Sequence, residues 1–157
     1  MSKSVAAVFI AIGTELSSGQ VVNTNSAWLA QHFSDFGLEP LLHITVPDQH
    51  DLILDALFQA QLQSDLIFVT GGLGPTSDDF TRDIIAEWLK APLVFNDASW
   101  QRLEARAQRM GFVLGASQKQ QCWFPEGATV MPNPAGTADA FKMSVQGTHV
   151  FVLPGPP

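Results

Sequence analysis

Apolar and polar positions along this 157-residue chain follow two rhythms in alternation. Residues 5–12, "VAAVFIAI", are an unbroken apolar run, the pattern of a strand covered on both faces. A long polar loop, "GTELSSGQVVNTN", follows. From about Ser26 to Phe36 the period becomes helical: Trp28, Leu29, His32, Phe33 and Phe36 share one face, and Gly37 supplies a left-handed stop. Leu41 to Val46 reads as a second strand ended by Pro47. Asp48 or His50 opens a helix with Leu52, Ile53, Ala56, Leu57 and Ala60 on its apolar side. "DLIFVT", 65–70, is a third strand. Beyond it Phe80, Ile84, Ile85 and Trp88 recur at helical spacing. Another helix runs from about Ala98 to Met110, capped by Asn96 or Asp97, with Trp100, Leu103, Ala107 and Met110 facing inward and Gly111 ending it. After Pro125 the runs shorten to "ATVM", "AFKMSV" and "THVFVL", with "QG" as a hairpin turn.

Strands alternating with helices of this length imply right-handed βαβ units and a mostly parallel sheet. The predicted fold is a three-layer α/β/α sandwich with one antiparallel strand from the terminal hairpin, formed by residues 1–157 as a single domain. Ligands of such sheets bind beyond the carboxyl ends of the strands. The loops "GTE", "GGLGPTSDD" and "PNPAGTAD" are expected at that edge.

Composition narrows the partners. The net charge is −7 and neither half carries a basic run. Nucleic acid and anionic membrane are therefore not expected as partners. An anionic small molecule stays open, because clustered N–H groups or a cation can invert the local field. The single cysteine, Cys122, permits no internal disulfide and points to a reducing cytoplasm. Beside Trp123 and Phe124 it reads as a buried, inert thiol. The apolar run after Lys3 is short and has no cleavage site, so it reads as a strand and not a signal peptide. No apolar stretch nears the roughly 20 residues that span a bilayer.

The stretch "VTGGLGPTSDDFTRD", 69–83, carries the most chemistry. A strand running into glycines and then a helix can aim backbone N–H groups and a helix dipole at one anion. Gly71, Gly72 and Gly74 permit close approach of a ligand, and Thr76, Ser77 and Thr81 offer hydroxyls. No Gly-Lys-Ser/Thr closes the loop, and Ser77 stands where a dinucleotide fingerprint needs its third glycine. Asp78 and Asp79 would repel a phosphate by on the order of 4 kcal/mol per close pair at an effective dielectric near 20. A site holding both a phosphate and these acids implies a divalent cation between them. The alternative is a turn whose aspartates cap the next helix. Spacing alone leaves both readings open.

Other candidates are weaker. His32, His43, His50 and His149 lack metal-ligand spacing and read as packing or surface residues. "GASQK" lacks the closing glycine of a nucleophile elbow. Arg102, Arg106 and Arg109 read as one exposed helix face. "NPAGT", 133–137, is a proline-fixed turn or a second backbone-donor loop.

Taken together, "GTELSSGQVVNTN", "VTGGLGPTSDDFT", "SQKQQ", "PEGATVMPNPAGTA" and "VLPGPP" resemble, in order, the amino-terminal domain of the CinA family, within the wider MoaB/MogA molybdopterin-binding fold. The resemblance covers nearly the whole chain. It implies a phosphate-rich ligand such as ADP-ribose, a nucleotide or a pterin, and a divalent metal (Mg, Mn or Co). Members of the wider fold bind molybdopterin, and some adenylylate it with Mg-ATP. CinA-type amino-terminal domains are associated with metal-dependent cleavage of ADP-ribose at its pyrophosphate. Homo-oligomers, usually dimers, are implied as well. Carried over by position, Gly71, Gly72, Gly74 and Thr76 would contact the ligand, and Asp78 and Asp79 would be the catalytic, metal-linked pair. Thr14 and Glu15 would sit opposite, while Asn133, Gly136 and Thr137 would close the pocket.

The chain departs from that pattern in three places. Lys119 keeps one cation of the family's basic stretch, but Gln120 replaces a lysine. Asp139 and Ala140 stand where the family prefers a small residue or proline and then glycine. Asp139 is expected to bring negative charge towards the phosphate, and Ala140 to narrow backbone access. The chain stops at "VLPGPP", just after a strand, which predicts an excised domain. Three functions follow as expectations: metal-dependent hydrolysis of ADP-ribose, adenylylation of molybdopterin, and binding without turnover.

Overall fold

The computed structural model describes residues 5–155. Strands β1 (Val5–Ile12), β2 (Leu38–Val46), β3 (Leu66–Thr70), β6 (Thr129–Met131), β7 (Ala140–Val145) and β8 (Thr148–Leu153) form one six-stranded sheet in the order β2-β1-β3-β8-β7-β6. β2, β1, β3 and β8 are mutually parallel. β7 pairs antiparallel with both β8 and β6, so it alone runs against the other five. That is the single reversed strand expected from the terminal hairpin. Its turn has positive φ at Gln146 (48°) and Gly147 (90°), the geometry a tight two-residue hairpin requires.

Helices α3 (His50–Gln61) and α4 (Thr81–Leu89) cover one face. Ile53, Leu57, Ile84 and Ile85 are buried there against Val8, Ile10, Ile67, Val69, Val150 and Val152. On the other face α2 (Thr24–Ser34) packs Leu29 and Phe33 onto Ala7, Phe9 and Phe68. Ring stacking continues across that face from Phe9 to Phe68 (5.3 Å) to Phe151 (5.1 Å). β1 is buried from both sides, which is why its sequence is apolar without alternation.

Several boundaries differ from the sequence reading. α2 begins two residues earlier, where the Asn23 side chain accepts from the Ser26 N–H at 3.1 Å. Trp28 (58% exposed) and Phe36 (82%) do not join Leu29 in the core, and His32 is also exposed. Positions 28 and 32 lie about 100° round the helix from 29 and 33, and 36 falls beyond its end. Trp28 instead stacks on His32 at 3.8 Å. For the same reason Leu52, one step from buried Ile53, is exposed; Met110 is exposed as the last residue of its helix. β2 starts at Leu38 and tolerates Pro40 because it is an edge strand.

Four elements have no readable period. α1 (Thr14–Ser17) is one helical turn inside the polar loop. β4 (Leu93–Phe95) and β5 (Trp123–Pro125) form a separate antiparallel ladder, and residues Ala116–Cys122 wind as a 3₁₀ helix. α5 (Asp97–Met110) is capped by Asn96, whose side chain accepts from the Ser99 N–H at 2.8 Å, and Gly111 ends it at φ 73°. Among the described residues no helix is long and apolar enough to cross a membrane. Pro156 and Pro157 of the "VLPGPP" ending, and Lys3, lie outside the described residues.

Candidate functional site

The parallel register brings the ends of β1, β2, β3 and β8 to one edge: Ile12 lies opposite Val46, and Thr70 opposite Ala11 and Leu153. The chain then leaves each strand at the same place. Gly13 N–H donates to Val46 O at 3.0 Å, and Gly71 N–H donates to Leu153 O at 3.1 Å. Gly71 and Gly72 have φ of 105° and 67°. A Cβ on Gly71 would meet Ile12 O at 2.1 Å, and one on Gly72 would meet Thr81 Oγ1 at 1.9 Å. Glycine is required at both positions by backbone conformation and by space.

The loop beyond is tied down from behind. Asp79 Oδ2 accepts from both the N–H (2.9 Å) and the hydroxyl (2.5 Å) of Thr76. Asp78 is exposed and takes only a long contact, 3.4 Å, from the Ser77 hydroxyl. Neither aspartate caps α4, whose N-cap is Phe80 without a side-chain bond. Thus Asp79 closes the loop rather than starting the helix. Arg82, 2% exposed, donates to Leu73 O (2.7 Å) and Gly74 O (3.1 Å). Gln120 donates to Gly74 O (3.2 Å) and Thr76 O (2.7 Å).

"NPAGT" is a built loop and not a free turn. Asn133 Nδ2 donates to Ala138 O at 3.1 Å, and its Oδ1 accepts from Ala135 N–H at 3.0 Å. Arg106 donates to Pro134 O and Ala135 O at 2.9 and 2.8 Å. Asp139 is 7% exposed and turned towards α5, where it accepts from Ser99 Oγ (2.8 Å), Arg102 (2.5 Å) and the Asn133 N–H (2.9 Å). This corrects one expectation: Asp139 carries a buried, paired charge instead of pointing at a phosphate. Arg102 and Arg109 are exposed as expected, while Arg102 and the half-buried Arg106 also clamp the loop.

Among the described residues a shallow cleft of about 160 Å³ at Trp28, Thr70 and Leu153 lies between two larger clefts at this edge. The smaller of those two, about 320 Å³, is bordered by Glu15, Asp48, Gly71 and Gly72. The larger, about 930 Å³, runs between the glycine loop and "NPAGT", bordered by Trp28, Gly72, Gly74, Asn133, Gly136 and Thr137 among others. They meet at Gly72 and Gly155. No charged side chain borders the larger cleft among the described residues, whereas the smaller carries two carboxylates.

Of the residues singled out from sequence, Glu15, Gly71, Gly72, Gly74, Asn133, Gly136 and Thr137 border these clefts. Thr14 adjoins them, its N–H (2.8 Å) and hydroxyl (3.0 Å) holding Asp48 Oδ2. Thr76, Asp78, Asp79, Thr81 and Lys119 border neither. Thr81 is buried beneath Gly72, its hydroxyl without a hydrogen-bond partner. Lys119 is exposed, with its ammonium 5.6 Å above the Trp100 ring. Asp48, Trp28 and Gln121 were not singled out. Asp48 was legible as the first polar residue after the second strand, by the rule that placed the other loops at this edge. Gln121 is 2% exposed, donates to Thr137 Oγ1 at 3.2 Å and borders the larger cleft. Among the described residues no three His, Cys, Asp or Glu side chains converge on a common point.

A parallel sheet with one reversed strand, glycine-lined at its carboxyl edge, defines the MoaB/MogA-like α/β fold. MoaB from Pyrococcus furiosus superposes with a TM-score of 0.61 at 19% identity, over 99% of this chain and 85% of that one. The chain belongs to the family described as "Probable molybdopterin binding domain", whose model matches residues 8–157. Within it the likeness is to CinA. The structure of the protein CinA from Thermoplasma acidophilum superposes with a TM-score of 0.87 at 30% identity, covering 98% of this chain and 90% of that one. A CinA-like protein of Dictyoglomus turgidum is 37% identical over 148 residues, 94% of this chain and 36% of that protein. The chain thus spans little more than a third of that relative's length.

Proposed function

We propose that this CinA-like domain binds a nucleotide or pterin diphosphate across the two adjoining clefts and hydrolyses the diphosphate of ADP-ribose with a divalent cation. The observation that carries the reading is the division of chemistry between the clefts. The larger is uncharged and flanked by Trp28, Leu73 and Met131, which suits a flat heterocycle. Gly72 borders both clefts, so a phosphate chain passing from one to the other would cross the glycine loop. The smaller cleft holds Glu15 and Asp48.

The chain's own residues fit a hard cation of limited protein ligation. With no cluster of three ligating side chains among the described residues, protein contributes at most a carboxylate pair, and phosphate oxygens and water complete the shell, as is common for Mg²⁺. Glu15 with Asp48 is the pair beside the glycines; Asp78 with Asp79 is the second. When bound, such a cation polarises a phosphoryl oxygen and lowers the pKa of water. Thr14 orients Asp48 through two bonds to one oxygen. Asp79 fixes the loop through Thr76, and the loop's amides stabilise charge that develops on the phosphoryl oxygens.

The test is incubation of the domain with ADP-ribose, with and without Mg²⁺, Mn²⁺ or Co²⁺, followed by assay for AMP. Metal-dependent AMP release, lost in Asp48→Asn and reduced in Asp79→Asn with the fold intact, is expected. Calorimetric binding of ADP-ribose without AMP in any metal would leave a binding domain. Absence of both would overturn the proposal.

A further inference from the structure

We infer that Arg82 is a positioning residue for this site: a buried guanidinium that sets the glycine loop from behind and supplies the positive field that holds an anion in front of it. The inference rests on the phosphate reading above. Arg82 lies in the first turn of α4, at 2% exposure, in a chain with only eight lysines and arginines. Three terms oppose a cation there. It is desolvated, which depresses its pKa, and it sits at the positive end of a helix dipole. Among the described residues it also makes no salt bridge, and its guanidinium donates to the carbonyls of Leu73 and Gly74. Asp79 and Asp83 contribute negative charge only at longer range. A buried charge without a counter-ion is costly unless something compensates it. An anion on the glycine loop would be that counter-ion.

The geometry adds a second role. Arg82 and Gln120 both donate to Gly74 O, and between them they engage the carbonyls of residues 73, 74 and 76. These acceptors are occupied on the protein side and cannot turn to face a ligand phosphate. Pre-orientation of this kind lowers the reorganisation that binding would otherwise require. Gln120 therefore does more than mark a lost lysine, since its amide shares this task with the buried cation.

The experiment compares wild type, Arg82→Gln and Arg82→Lys for binding of ADP and of adenosine by calorimetry, with thermal melts as a check on folding. Arg82→Gln should lose about tenfold or more in ADP affinity while adenosine affinity stays within about threefold, because only the anion feels the missing charge. Arg82→Lys should keep the preference for ADP within about threefold of wild type, and it carries the test if the glutamine variant does not fold. Equal loss of both ligands in Arg82→Gln, or collapse of the preference in Arg82→Lys, would mean a purely structural role and overturn the inference. ADP binding unchanged in Arg82→Gln would overturn it while sparing the phosphate reading. If wild type binds no ADP, both fall together.

Discussion

Arg102 and Asp139 are 2.5 Å apart, and their pairing joins helix α5 to the strand that follows "NPAGT". Asp139 also takes the Ser99 hydroxyl and the Asn133 amide. One carboxylate thus ends a helix-to-loop strut. Asp139→Ala should cost about 2–3 kcal/mol in chemical denaturation, below the cost of breaking a fully buried pair because the Arg102 side chain is 40% exposed and screened. Amide exchange at residues 133–138 should rise in the same variant. A loss under about 0.5 kcal/mol, with exchange unchanged, would show that the strut holds nothing.

Glycines with positive φ should not respond alike. At Gly71 an added Cβ would strike the Ile12 carbonyl oxygen at 2.1 Å, and that oxygen belongs to a buried strand of the sheet. At Gly127, also of positive φ (82°), nothing stands within 4 Å. Gly71→Ala should therefore lose about 3 kcal/mol or more, and Gly127→Ala only about 1 kcal/mol from the left-handed backbone. Urea midpoints of the two variants measure the gap. Equal losses would contradict the close approach of Gly71 to the end of β1.

Cys122 is 1% exposed, and burial pushes its thiol up to about 11, with the Asp139 charge adding to the rise. At pH 8.5 its alkylation by iodoacetamide should be slower in the native protein than in denaturant by on the order of 100-fold, since the thiolate fraction falls by about that factor. Raising the pH towards 11 should speed native labelling. Rapid native labelling at pH 8.5 would place the sulfur in an open environment.

The fold was legible because its periodic elements are long. The helical spacing of Ile53, Ala56, Leu57 and Ala60 shows directly as a buried stripe, and the unbroken run at 5–12 is a strand covered on both faces. The three-residue strands at Leu93–Phe95 and Trp123–Pro125 are too short to show a period, and each exists only because the other pairs with it. The site was legible in part. Gly71, Gly72 and Gly74 announced a close approach, and "NPAGT" announced a second loop. Arg82 and Asp139 could not be read, because a charged residue's role depends on what lies within a few ångströms of it in space.

Local sequence determined where the chain bends, where helices begin and which strand is covered on both faces, since those depend on backbone freedom and on burial patterns a few residues long. Asn23, Asn96, Gly111 and the Gln146–Gly147 turn each do this with neighbours close in sequence. Only the tertiary structure decided what the charges do. Asp48 meets Thr14 across 34 positions, Gln120 reaches Gly74 across 46, and Asp139 finds Arg102 across 37. Electrostatic and hydrogen-bond partners are set by distance in space, and in a parallel sheet the crossovers separate neighbouring strand ends by tens of residues.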